Sequence, residues 1–144
     1  MDDKTLAQEF ELLHPVPLEM AFAVRALFSQ TWWAKDRDLI FTKKVLMGSS
    51  HSWALMKTEN RQLLGFARVV SDGIAKATIY DVILDDSLHG RGLGAYFLNQ
   101  VIASPILQEV DHVELYCKPE MIGFYERLGI QEIEPEVRLL RLSR

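Results

Sequence analysis

The chain carries one cysteine, Cys117, so it cannot form an intrachain disulfide, and a small disulfide-stapled scaffold is excluded. No apolar run approaches the length that crosses a bilayer as a helix, so no membrane partner is expected. The start, Met1-Asp-Asp-Lys, is acidic and lacks the apolar core of a secretory signal. With the lone thiol, this points to a reducing compartment: the cytoplasm, or an organellar stroma if a transit peptide has been removed. A basic stripe is also missing. The formal net charge is −4, and Arg138, Arg141 and Arg144 of the tail are too few to neutralise a phosphate backbone. No nucleic-acid partner is therefore expected, and the acidity suits a cationic small substrate. No Gly-x-x-x-x-Gly-Lys-Ser/Thr string occurs, which excludes a P-loop. His14, His51, His89 and His112 are scattered without ligand spacing, so no metal is expected. Repeats, low-complexity tracts and linkers are lacking too. The 144 residues read as one domain, 1–144, large enough for a real core.

What is present is a clear alternation of periods. A short strand is expected near Glu11–His14, stopped by Pro15 and Pro17. Met20, Ala23, Val24, Leu27 and Phe28 recur at helical spacing within Leu18–Gln30. A polar loop, Ala34-Lys-Asp-Arg-Asp38, leads to a second helix over Leu39–Met47, closed by Gly48. Strands are expected over Ser52–Lys57, Leu63–Ser71 and Ala75–Leu84, with Asp72-Gly73 as a hairpin turn. A helix to about Ala103, a strand over His112–Cys117, and a helix from Pro119 to about Leu128 follow, with Gly129 as its cap. Ile130–Glu134 and Val137–Leu142 read as a closing pair of strands. The order predicts an α/β fold: a mixed, mostly antiparallel sheet flanked by about four helices.

The most informative stretch is Ile79-Tyr-Asp-Val-Ile-Leu-Asp-Asp-Ser-Leu-His-Gly-Arg-Gly-Leu-Gly94. A β-branched run ends in a polar turn, and alternating glycines open a helix. Backbone N–H groups at a helix start have no partner inside the helix, and the helix dipole favours an anion there. The expected product is a phosphate cradle. Gly90-x-Gly92-x-x-Ala95 also matches a relaxed dinucleotide fingerprint, with Glu114 near the acidic offset. The context argues against it. Asp85-Asp-Ser-Leu-His separates the glycines from the strand, and too little chain follows to complete a doubly wound domain.

His89-Gly-Arg-Gly-Leu-Gly94 resembles the Gln/Arg-x-x-Gly-x-Gly/Ala signature of the GNAT superfamily of N-acetyltransferases. Asp81-Val-Ile-Leu-Asp-Asp resembles the fourth strand that leads into it. Phe124-Tyr-Glu-Arg-Leu-Gly-Ile130 resembles the second signature, Phe-Tyr-x-x-x-Gly-Phe, in the right order along the chain. Gly65-Phe-Ala-Arg-Val-Val-Ser-Asp-Gly and Ala77-Thr-Ile-Tyr-Asp-Val are similar to the plastid and cyanobacterial branch that includes serotonin (arylalkylamine) N-acetyltransferases. The sequence departs from the family in two places. The first signature residue is His89, and the position seven residues before Tyr125, usually Asn or Asp, holds Lys118.

The resemblance implies acetyl-CoA as donor, with its pyrophosphate on the turn formed by His89, Gly90, Arg91, Gly92, Leu93, Gly94 and Ala95. It implies that Val82, Ile83 and Leu84 run beside the pantetheine arm, where the strand bulges and splays from the one around Val113–Cys117. Lys118 occupies a cofactor-contacting place. Tyr125 is implied as the acid that protonates the departing thiolate, and it also borders the cofactor. The acceptor must attack as a neutral amine, yet a free alkyl ammonium has a pKa of about 10, so a base or a water chain must take a proton. Asp81 and Tyr80 are the candidates. As neighbours on a strand they are expected to face opposite ways. Glu120 is a weaker candidate. Trp32 and Trp33, with Asp36 and Asp38, stand where relatives build the acceptor site, and an exposed tryptophan suits an aromatic or cationic amine. Cys117 reads as a buried strand residue rather than a nucleophile.

The expected function is direct acetyl transfer from acetyl-CoA to a primary amine, small or arylalkyl. A protein lysine or N-terminus as acceptor, or a non-catalytic acyl-CoA sensor on the same fold, remains open. A homodimer is common among such relatives, but no residue here shows one.

Overall fold

The computed structural model describes residues 2–133 and 137–144. Five strands form a single sheet in sequence order: β1 (Phe10–Leu13), β2 (His51–Lys57), β3 (Leu63–Ser71), β4 (Lys76–Leu84) and β5 (His112–Leu115). The first four pair antiparallel, and β5 pairs parallel with β4. The meander is built by short turns. At the β3–β4 turn the Asp72 carboxylate accepts from the N–H groups of Ile74, Ala75 and Lys76, and Gly73 takes φ +76°. Parallel pairing with β5 requires a crossover, supplied by α4 (Leu93–Ile102) and a short α5 (Pro105–Gln108).

Side chains alternate across the sheet, so both faces bury an apolar layer. Trp53, Leu55, Ala67, Val69, Ala77 and Ile79 pack beneath Phe97 and Val101 of α4. Ala54, Met56, Phe66 and Ile83 pack on the other face with Val24, Leu27 and Phe28 of α2 (Ala21–Phe28). Beside α2 lies α3 (Leu39–Gly48), whose start is capped by Asp38, its carboxylate accepting from Phe41 N–H at 2.8 Å. Burying a side chain such as Phe97 contributes about 2–3 kcal/mol, so the two layers supply most of the driving force.

Several expectations are refined. An N-terminal helix, α1 (Asp3–Glu9), was not visible in the hydrophobic pattern, because Leu6 is its only buried residue. Asp2 caps it, accepting from Thr5 N–H. The helix expected from Pro119 divides into a 3₁₀ turn over Pro119–Met121 and α6 (Ile122–Glu126), with Gly129 at φ +87° just beyond. The closing strands are corrected. Residues 130–133 and 137–142 adopt no strand, and Glu134 lies outside the described residues. The tail stays off the sheet: β5 ends at Leu115, no described strand pairs with its outer edge, and Leu140 and Leu142 remain 87% and 79% exposed.

Candidate active site

The site begins where β4 and β5 part. Their parallel rungs run from Lys76↔His112 to Ile79↔Leu115 and stop. β4 continues to Leu84 alone, so its backbone groups on that side have no strand partner. Tyr80 and Tyr116 stand at the crotch of the fork, ring centroids 6.4 Å apart. On the other side, the β3–β4 register shifts between Phe66↔Ile83 and Arg68↔Tyr80, so Ala67 opposes both Asp81 and Val82. This is a β-bulge, and Asp81 sits in it with φ +56°.

The bulge overturns one expectation about faces. An extra residue flips the alternation, so Ile79 points to the α4 side and Ile83 to the α2 side. Tyr80 and Asp81 therefore share a face instead of opposing each other. Arg68 touches both: its Nε donates to Asp81 Oδ2 at 2.7 Å and its guanidinium lies 5.0 Å from the Tyr80 ring centroid. Arg37 Nη1 also donates to Asp81 Oδ2, at 2.8 Å. Asp81, a candidate base, is 7% exposed and held by two guanidiniums. Taking a proton from an amine would mean leaving that pairing.

The cradle follows β4. Asp85 N–H donates to Leu64 O, and its carboxylate accepts from the Ser87 hydroxyl, Gln30 Nε2 and Ser87 N–H. These bonds, Ser87 foremost, hold the Asp85 carboxyl below its ordinary range. A 3₁₀ turn over Asp86–Leu88 leads to exposed His89, then to Gly90 at φ +85° and Gly92 at φ +73°. Such φ values favour glycine, and a Cβ at either position would meet nothing within 4 Å. Gly92 caps α4 without any side-chain bond, so the N–H groups of Leu93, Gly94 and Ala95 begin the helix uncapped. The Leu93 side chain is buried in the core, leaving its N–H as what it offers. Arg91 turns away, pairing with Glu9 of α1 at 2.8 Å and lying over Phe10. It anchors the turn to α1.

Gly94 lets α6 approach. A Cβ there would stand 3.4 Å from Phe124 Cζ and 3.6 Å from Leu84 Cδ1. Phe124 thus locks α6 on the first turn of α4, and its neighbour Tyr125 is half-buried. Tyr125 shares a cavity of about 650 Å³ with Leu115, Tyr116, Cys117 and Ile122. Burial, and secondarily Cys117, push the Tyr125 hydroxyl above its ordinary value. Cys117 itself is corrected: it lies exposed beyond the end of β5, not buried within a strand. Burial of its sulfur nonetheless contributes first to raising its pKa, followed by Glu132 and Glu120.

The loop expected to build the acceptor site lies between α2 and α3. Trp32 is 69% exposed and Trp33 41% exposed. Lys118, expected beside the cofactor, also reaches this loop, its Nζ 4.3 Å from the Trp32 ring centroid. Trp33, Asp36, Arg37 and Phe41 line a cleft of about 420 Å³. Arg37 is the residue that the sequence pattern did not reveal. Its only sequence signal is an aspartate, Asp81, misplaced in a β-rich run and in need of a cation. Glu120 is exposed in the 3₁₀ turn before α6, and Asp38 is committed to its helix cap. Among the described residues, no three His, Cys, Asp or Glu side chains gather as metal ligands, and no helix is long and apolar enough to cross a membrane.

Comparison with known proteins matches this geometry to a family. Residues 31–139 fit the model of the acetyltransferase (GNAT) domain. An uncharacterised N-acetyltransferase, ycf52, of Pyropia yezoensis is 34% identical over 110 residues, 75% of this chain and 63% of that protein. Serotonin N-acetyltransferase 2, chloroplastic, of Oryza sativa subsp. japonica is 35% identical over 66 residues, 46% of this chain and 33% of that protein. The chain therefore spans less than two thirds of either relative. A crystal structure of a protein assigned to the GNAT family, from Xanthomonas campestris pv. campestris, superposes with a TM-score of 0.74 at 25% identity, covering 92% of this chain and 94% of that one.

Proposed function

Because this chain belongs to the GNAT acetyltransferase family, we propose that it transfers acetyl from acetyl-CoA to a small primary amine, arylalkylamines included, by direct attack in a ternary complex. The residues fit the cofactor. The uncapped N–H groups of Leu93, Gly94 and Ala95, beside the open space at Gly90 and Gly92, suit its pyrophosphate. The unpaired edge of β4 at Val82, Ile83 and Leu84 suits the amides of its pantetheine arm. When bound, acetyl-CoA supplies the acetyl group as an activated thioester.

Tyr125 carries the reading. Burial disfavours its phenolate, so the hydroxyl keeps its proton at neutral pH and can deliver it to a departing thiolate. Asp81 is committed to Arg37 and Arg68, so we assign removal of the amine proton to water in the open cleft. Trp33 and Phe41, with Asp36, Arg37 and Lys44, line the cleft, and its aromatic rings suit packing against an aromatic amine. The likeness to a relative named for serotonin supports that choice.

The test is thiol release from acetyl-CoA with a panel of amines, comparing wild type with Tyr125→Phe. Turnover by the wild type, and a fall in kcat of about 100-fold in the variant with KM for acetyl-CoA little changed, are expected. Unchanged kcat in Tyr125→Phe removes the acid assignment. Tight acetyl-CoA binding with no turnover on any amine or peptide would favour an acyl-CoA sensor instead.

A further inference from the structure

The Asp81 carboxylate gathers two cations from different parts of the fold. Arg68 reaches it from the neighbouring strand β3, at 2.7 Å. Arg37 reaches it from the loop between α2 and α3, through Nη1 at 2.8 Å and Nη2 at 3.4 Å. The Arg37 guanidinium also lies 4.7 Å from the ring of Phe28 at the end of α2, 5.5 Å from Trp33 and 5.3 Å from Phe41 in the first turn of α3. With side-chain exposures of 20% for Arg37 and 7% for Asp81, the contact is largely shielded from solvent, where such pairs are screened least. One guanidinium is thus where both helices, the loop between them and the β4 bulge converge.

We propose that Arg37 is a positioning residue: by binding Asp81 it fixes the acceptor loop to the β4 bulge, so that the cleft and the fork are placed as one unit. Asp81 has reason to need it. Its φ of +56° is costly for most residues and tolerable for aspartate, and contacts from two sides hold it there. The charges also indicate which variant is clean. Two guanidiniums on one carboxylate leave a surplus positive charge. Removing Arg37 leaves a balanced Asp81–Arg68 pair, whereas removing Asp81 leaves two facing cations. Arg37→Met keeps the unbranched aliphatic stem and removes the guanidinium, and with it both the Asp81 bonds and the contacts to the three rings. Arg68→Met removes an equally shielded pair to the same carboxylate without touching the loop.

The two arginines therefore form a matched comparison, read first without any substrate. Amide hydrogen exchange of Arg37→Met should speed up both in residues 31–38 and in residues 80–84. Arg68→Met should speed up only the second. Arg37→Lys, which keeps the charge, should recover part of the loop's protection. The kinetic arm rests on the proposed acetyl transfer. Arg37→Met should raise KM for the amine on the order of tenfold, the scale of one charge-assisted hydrogen bond, with KM for acetyl-CoA little changed. Unchanged loop exchange in Arg37→Met, or the same exchange pattern in both variants, overturns the proposal. If the wild type acetylates no amine, the functional reading falls while the exchange data still decide the role of Arg37.

Discussion

Tyr125 is the residue on which the proposed acid step rests. Phe124, at right angles to it and 5.1 Å away, packs toward Gly94, and burial keeps the hydroxyl protonated. Lys118 occupies the family's usual Asn or Asp position, and its ammonium rests on Trp32 in the loop between α2 and α3. Gly65 matters for what it lacks. A Cβ there would come within 2.8 Å of Leu84 Cδ2 and 2.9 Å of Leu55 Cβ. Leu84 can swing its terminal methyl, but Leu55 Cβ is fixed to its strand, so β2 or β3 must shift. Gly65→Ala should destabilise the fold by about 1–3 kcal/mol, read as a lower urea midpoint with an unchanged slope. The signatures around Gly94 and Tyr125 were readable in sequence because they are local strings. Arg37 was not, since its partner Asp81 lies 44 residues along the chain.

At the scale of elements, the site is made by two interruptions of regular structure. The β4–β5 pairing stops at Ile79↔Leu115, and the bulge at Asp81 bends the strand that continues. α4 then begins on a left-handed glycine, leaving its first N–H groups without a cap. Gly92→Ala would force a Cβ into φ +73°, at a cost of about 1–2 kcal/mol, without filling any occupied space. Its effect should appear as weaker acetyl-CoA binding by calorimetry, with Tyr125 chemistry little altered at saturation. The helices and meander were legible from their periods. The bulge was not. A strand pattern carries no mark of a one-residue insertion, and that insertion put Tyr80 and Asp81 on the same face.

For the whole molecule, the sheet holds an apolar layer on each face, and its ionisable groups set a pH range for stability. Tyr125 has a raised pKa in the fold, so its contribution is complete below the ordinary value of 10.0 and is lost as pH rises beyond it. His51 is pushed down by burial and by His14, so its contribution is present above 6.5 and is lost as pH falls below it. Asp85, also lowered, adds stability above 3.8 that is lost on further acidification. Cys117, raised from 9.0, loses its contribution as pH rises past that value, so the urea midpoint should be highest between about pH 6.5 and 9. Tyr125→Phe should flatten the alkaline fall, and His51→Phe the first acid step. The amino-acid order alone determined the strand and helix sequence, the mixed sheet and the family, because these are written in periods and short motifs. Its expectations of a closing pair of strands and of a buried Cys117 were overturned, and it left the partner of Asp81 undecided. Those depend on which strand edge is available, where β5 ends and which distant cation the fold carries to the bulge. Only the packing of α2, α3 and β4 around Arg37 decided that the loop between the two helices and the β4 bulge meet at one carboxylate.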